Sequence, residues 1–507
     1  MRKLLVLLAI AVLATVALPA FAELQNVEIG GSIWIRGNYI SNTFTAPMPA
    51  QLRYGPLRVL GRPIGGPFNP VVASIFDWDD RGGNLKFVEE RTILNVKADF
   101  TDNVKAVVAL DSYDVWGEDF RSNYLTGVDA RANSGDDVEV YQAYVEANEM
   151  FGYPVRLRVG RQELAFGNQW LVGTRDFEFY FSGLSFDGVR LSYSADKLTI
   201  DGWWSKLAER SPIEEDGDVD FYGVYATYAA CDACSLDAYW MYVRDARSVQ
   251  DTPGNNFWEQ LWGLDDYGVT NLHTVGLRAA GKVNAFDYNA EVAYQFGDAS
   301  QIGATFKPFL YGVDDADFDT WGATAEVGYS FDCKCKPRVF LSGTYFGGED
   351  NRDLSFWEWL NPFDRPEASV SFNRLFSNVL YSGFMDLWND TSNVYMLKAG
   401  AMGGVTEKLM AIVAVTYFGA VEPFDRPVVP ILTFWTEEND SYLGTEADLF
   451  LRYQYSEDLR FEAGWCHLFV GDGLEEGSFS RWNGLIFNGG SDDDDADYFY
   501  IGSKLNF

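Results

Sequence analysis

Tyr500-Ile501-Gly502-Ser503-Lys504-Leu505-Asn506-Phe507 closes the sequence on an aromatic residue. Phe499, Ile501, Leu505 and Phe507 are apolar, and Tyr500, Gly502, Lys504 and Asn506 stand between them. A period of two belongs to a strand with one apolar and one wet face. Whether this is an ordinary edge strand or one stave of a larger wall depends on what lies upstream.

The same alternation recurs along the chain. Thr92, Leu94, Val96, Ala98 and Phe100 alternate with Arg91, Asn95, Lys97 and Asp99. Trp321, Ala323, Ala325, Val327 and Tyr329 alternate with Thr324, Glu326 and Ser330, and Ala447, Leu449, Leu451 and Tyr453 with Glu446, Asp448, Arg452 and Gln454. About eighteen such segments can be counted, an even number as bacterial barrels require. Their connections alternate in length. Short ones fall at 101–103, 148–154, 194–197, 230–235, 283–285, 332–337, 404–408 and 456–458. Long ones fall near 41–84, 112–137, 162–183, 208–218, 245–270, 297–319, 347–392, 419–439 and 470–497. The pattern predicts an all-β, transmembrane antiparallel barrel of about eighteen strands, with short periplasmic turns and long extracellular loops.

Residues 1–22 read as a secretory signal peptide: basic Arg2-Lys3, an apolar run over 4–18, then Ala20-Phe21-Ala22. Residues 23–507 are then a single barrel domain. No other stretch is apolar for long enough to span a membrane as a helix. An exported chain that crosses a membrane without such helices crosses it as a closed barrel.

Composition agrees. Aromatic residues make up 16%, with 28 Tyr, 38 Phe and 16 Trp, as two interfacial girdles would demand. Mean hydropathy is −0.14, because a barrel also carries a polar lumen and polar loops. Without Arg2 and Lys3, 37 basic residues face 74 acidic ones, a net charge of −37. That excludes nucleic acid as a partner, which needs a basic stripe. Much of the acid lies in the long connections, at 77–80, 214–216, 314–317 and 492–495. Two readings stand for these runs: solvated loop charge, or weak binding of Ca2+ bridging to anionic lipid headgroups.

With the apolar parity facing lipid, the alternate parity lines the lumen. Candidate pore-lining cations on that parity are Arg91, Arg156, Arg158, Arg190, Arg278, Lys398 and Arg452. Glu146, Asp201, Asp237, Glu291, Glu326, Glu446, Asp448 and Glu462 share that wall, so its charges nearly balance. Opposed charges can pair as structural ladders; guanidiniums left unpaired would favour anions.

Tyr500, Gly502, Leu505 and Phe507 together resemble the closing-strand signal that the outer-membrane barrel-assembly machinery reads. A second resemblance covers most of the chain. Gln142-Ala143-Tyr144-Val145, Gly160-Arg161-Gln162-Glu163, Phe166-Gly167-Asn168, Leu171-Val172-Gly173 and Phe186-Asp187-Gly188-Val189-Arg190 resemble the alginate-export family of outer-membrane porins. Phe372-Asn373-Arg374-Leu375-Phe376, Gly383-Phe384-Met385-Asp386 and Leu443-Gly444-Thr445-Glu446-Ala447-Asp448 agree with it. The resemblance implies a monomeric barrel in the bacterial outer membrane, among lipid and lipopolysaccharide. It also implies passive passage of an anionic or neutral saccharide or other small solute, with no cofactor. The acidic loops depart from the pattern, because they would repel a polyanion within a Debye length of about 8 Å. Arg161 has two readings, solute contact or a pin for the loop over 162–183.

Cys231 and Cys234 form one close pair, Cys333 and Cys335 another, each in a short turn. Four strands of the wall separate the turns by roughly 20 Å, too far for a shared zinc ion. An oxidising periplasm makes local disulfides the expectation for both, with the Cys-x-Cys ring the more strained. Cys466 is left as a free thiol on the lumen parity.

Three functions are compatible with this reading. The first is a channel. The second is a barrel serving as sheath or anchor for a partner protein, which a lumen plug and absent conductance would reveal. The third is a hydrolase, which would need a nucleophile beside one of the two histidines, His273 and His467, both on the apolar parity. No nucleophile-elbow or phosphate-loop motif is present, and the expectation is no enzyme. Phe356, Trp357, Trp359 and Phe363 are expected to fold inward, so that the loop over 347–392 partly occludes the mouth.

Overall fold

The computed structural model describes residues 24–41, 71–72, 84–101, 103–116, 138–175, 181, 183–209, 218–231, 233–246, 269–298, 316–348, 357, 368–369, 371–386, 392–423, 425–427, 436–438, 440–475, 482–483 and 495–507. Residues 1–22, read above as a leader, lie outside them, as do the acidic runs except Asp317 and Asp495.

Eighteen strands form the wall: β1 (Asn26–Ile40), β2 (Leu85–Thr101), β3 (Val104–Val115), β4 (Glu139–Ala147), β5 (Val155–Gln162), β6 (Phe186–Ala195), β7 (Leu198–Ala208), β8 (Val219–Cys231), β9 (Cys234–Asp245), β10 (Thr270–Val283), β11 (Phe286–Asp298), β12 (Ala316–Ser330), β13 (Arg338–Phe346), β14 (Val394–Gly404), β15 (Leu409–Ala420), β16 (Tyr442–Gln454), β17 (Leu459–Val470) and β18 (Ala496–Asn506). Each pairs antiparallel with its neighbours in sequence. The ring closes because β1 pairs on one side with β2, Trp34 opposite Arg91, and on the other with β18, Trp34 opposite Lys504. A closed ring leaves no edge strand, so backbone polar groups can be satisfied within lipid. The eight short connections share one end with both barrel termini, and the nine long ones share the other. Two short connections are two-residue hairpins opened by a positive-φ residue, Asp196 at 45° and Asn284 at 57°, as the right-handed strand twist favours.

The outward face is apolar. Val108, Val145, Leu277, Leu341, Leu397, Val413 and Ile501 form its exposed middle band. Trp204, Trp240, Tyr294, Trp321, Trp465 and Phe499 ring it toward the long loops, and Tyr228, Phe286, Tyr288, Tyr453 and Phe461 toward the short turns. These are the two aromatic girdles of a membrane barrel. Among the described residues no helix is long and apolar enough to cross a membrane; the chain crosses with strands.

The lumen is not uniformly wet. In the half toward the long loops, inward Ile40, Phe221, Met241, Leu272, Phe346, Met396, Phe418 and Leu468 belong to one buried apolar cluster. Its centre is supplied by two connections that turn inward, 163–175 and 371–386, through Leu164, Trp170, Leu171, Phe372, Leu375, Phe384 and Met385. The two segments meet through an isolated parallel bridge between Val172 and Phe376. The barrel therefore has a solid core at one end, built as soluble domains build theirs.

Of the four rings expected to turn inward, Trp357 is 70% exposed, and Phe356, Trp359 and Phe363 lie outside the described residues. The same connection does fill the lumen, but with residues 371–386.

Candidate functional site

The plug over 371–386 is organised around one buried ion pair. Arg374 and Asp386 pair through both guanidinium nitrogens Nη1 and Nη2, and neither side chain is more than 1% exposed. Asp386 also accepts from the Tyr381 amide at 2.9 Å, and Arg374 donates to the Val379 carbonyl at 3.0 Å. A buried charge pair is costly unless its other polar atoms are bonded as well, and these two bonds offset part of that cost.

Three adjacent strands then hold the plug to the wall. Lys398 on β14, Thr416 on β15 and Glu446 on β16 stand in one cross-strand row. Lys398 Nζ and Thr416 Oγ1 donate to the Tyr381 carbonyl at 2.8 and 3.4 Å. The Glu446 carboxylate accepts the amides of Phe384 at 2.6 Å and Met385 at 2.9 Å. On the opposite side Gln295 on β11 exchanges two bonds with the backbone of Asn373. The second inward segment is tied to the first by Asn378, whose amide and side chain both donate to Gln169.

Toward the short turns the inward face carries a ring of charge around a vestibule. Lys97 pairs with Glu28 at 3.0 Å. Lys105 and Arg158 share Glu146 at 2.8 and 2.6 Å, and Arg338 pairs with both Asp287 and Glu326. Arg190 pairs with Asp201 at 2.9 Å and lies over Phe166; Arg278 pairs with Asp237 at 2.6 Å. Arg91, on the plugged half, is locked to Asp111 at 2.6 Å. Arg452 faces inward opposite Glu462. Arg156 differs. Among the described residues its guanidinium pairs with no carboxylate, and it donates to Ser192 Oγ at 3.2 Å.

Arg161 is a correction. It shares parity with Leu157 and Val159 and points away from the lumen. There it makes a bidentate pair with Asp187, at 2.8 and 2.9 Å, and donates to the Val140 carbonyl at 3.0 Å. The two-residue period already places 161 on the face opposite 156 and 158. Its position clamps β4, β5 and β6 where the inward segment leaves and returns. Beside it, Gly160 holds a φ of +124°, and a Cβ there would collide with the Ala143 carbonyl.

The cysteines are also only partly as expected. Cys231 and Cys234 are bonded, Cα atoms 5.0 Å apart. Cys333 and Cys335 are free and exposed. Their turn is already held by backbone bonds, from Lys336 to the Cys333 carbonyl at 2.9 Å and from Gly404 to the Cys335 carbonyl at 3.0 Å. Cys466 is free and buried.

His273 and His467 sit on the outer face. His273 stacks on Tyr242, ring centroids 4.3 Å apart. His467 has a carboxylate at each nitrogen, Asp497 at 2.9 Å and Asp495 at 3.5 Å.

At the closing strand Tyr500 is buried with Arg36 over its ring at 5.4 Å, Gly502 lies against the Ile35 carbonyl, Leu505 faces outward, and Phe507 exchanges backbone bonds with Gly31.

No curated protein matches the chain. Among solved structures, Pseudomonas aeruginosa OccK5 (OpdH) is similar at 12% identity and a TM-score of 0.47, over 95% of this chain and 98% of that one. P. aeruginosa OpdK with vanillate is similar at 10% identity and 0.48, and Acinetobacter baumannii OccAB4 at 11% and 0.49, each over 95% of this chain and 98% of the other. The Alginate export family model matches residues 79–485, a span that holds the plug, its docking row and the second inward segment. The chain belongs to the alginate-export family, as a closed eighteen-stranded β-barrel of the bacterial outer membrane.

Proposed function

We propose that this protein is a passive outer-membrane channel for an anionic or neutral saccharide or other small solute, constricted by its own plug. The observation that carries the reading is Arg156, a lumen-facing guanidinium with no carboxylate partner among the described residues. Around it the other cations are largely neutralised in pairs. A guanidinium with no carboxylate partner among the described residues, set in a balanced ring, offers a bidentate contact to a carboxylate or sulfate, or to sugar hydroxyls, without holding a polyanion so tightly that it cannot leave. The outward face meets lipid, and recognition of the closing strand by the assembly machinery and a monomeric state belong to the same proposal.

Planar-bilayer recording of refolded protein tests it. A measurable current with anion preference, read from the reversal potential, supports the channel; cation preference removes Arg156 as its selective contact. The plug favours a second reading, a barrel acting as sheath or anchor for a partner protein. Absence of any ion current would decide for that.

A further inference from the structure

Glu446 and Asp448 project inward two residues apart on β16, and Cys466 on β17 stands directly opposite Asp448. One potential ligand atom from each lies within 4.8 Å of the other two, and all three residues are buried. Cys466 and Glu446 have no measurable exposure, and Asp448 has 5%. Glu446 spends one lone pair of each oxygen on the plug amides. Neither oxygen of Asp448 receives a hydrogen bond from the wall or the plug among the described residues. Lys398, a cation in the same cross-strand row as Glu446, donates to the Tyr381 carbonyl.

Two ionised carboxylates side by side at low dielectric repel each other strongly unless a cation or a shared proton lies between them. The plug closes over the cluster at Gly383, so tightly that a Cβ there would collide with Cys466 Sγ and crowd Asp448 Oδ1. A sulfur beside two carboxylates suits a borderline divalent ion, for which thiolate and carboxylate are both good ligands, and ill suits Ca2+ or Mg2+.

We infer that Glu446, Asp448 and Cys466 form a binding site for a zinc-like divalent cation, buried between the barrel wall and the plug. Binding displaces the thiol proton to solvent and leaves one coordination position to water. The ion would tie β16 and β17 together under the plug, and the site stands or falls independently of what solute the barrel passes.

The test uses the full chain in detergent, in a Cys333→Ser/Cys335→Ser background that removes the exposed thiols. The protein is stripped with chelator, equilibrated with Zn2+ or Cd2+, and desalted. A single retained equivalent, with an ultraviolet cadmium–thiolate band, is expected. Asp448→Asn and Cys466→Ser should each lose it while the barrel keeps its heat-modifiable electrophoretic mobility. Should one variant fail to fold, the other carries the comparison, and alkylation of Cys466 in urea should be slower with Zn2+ than without. A folded background protein that retains no metal, or variants that retain as much as their parent, would overturn the site and leave the carboxylates sharing a proton.

Discussion

Glu446 accepts the amide hydrogen of Met385 across 61 residues of sequence, and with its other oxygen that of Phe384. A carboxylate in the membrane wall thus grips the backbone of a loop. Each such buried hydrogen bond contributes about 0.5–1.5 kcal/mol. Glu446→Ala should free the 381–386 edge of the plug while the wall persists. Single-channel current should rise or become noisier; an unchanged trace would mean that the plug does not limit the passage.

Arg374→Ala leaves Asp386 charged and buried, which typically costs about 3–5 kcal/mol. The cost falls on the plug, because neither residue belongs to a wall strand. Limited proteolysis should therefore cut within 371–386 in the variant and not in the parent, at equal heat-modifiable mobility. Loss of the folded barrel itself would show that plug and wall fold as one unit.

Arg156 and Arg161 make a matched pair for selectivity. Arg156→Gln should move the reversal potential toward cations. Arg161→Gln should not, since its charge faces away from the lumen. The Arg161–Asp187 pair is 43% and 55% exposed, so its loss should cost no more than about 1 kcal/mol.

Thiol accessibility separates the cysteines. Without reductant, Cys333 and Cys335 should react with a maleimide in the folded protein, and Cys466 only after unfolding. Cys231 and Cys234 should react only after reduction. Mass spectrometry of the labelled peptides would expose a Cys333–Cys335 bond by missing adducts.

The blocks that carry the family resemblance acquire a common meaning in three dimensions. Residues 160–173 are the second inward segment with its Arg161 clamp, residues 372–376 and 383–386 are the plug, and residues 443–448 are the strand that docks it. Read along the chain, Arg161 and Lys398 look like lumen cations waiting for a solute. In the fold one is turned to the outer face and the other is bonded to the Tyr381 carbonyl. Phe356, Trp357, Trp359 and Phe363 are the loop's densest aromatic stretch, whereas the segment over 371–386, which packs inside among the described residues, is less dense in aromatics and carries three Ser and two Asn. Its signal was the buried Arg374–Asp386 pair, which has no local signature.

The sequence alone determined the wall: strand number, the sorting of short and long connections to opposite ends, and the alternation of faces along each strand, from which only the reading of Arg161 departed. Lipid enforces those features residue by residue, because every stave must alternate and every backbone group must find a neighbouring strand. Only the tertiary structure decided which loops turn inward, which lumen charges cancel, and that Arg156 does not. Those outcomes depend on meetings between residues far apart in sequence, such as Gln295 with Asn373 and Glu446 with Phe384, and a two-residue period carries no information about them.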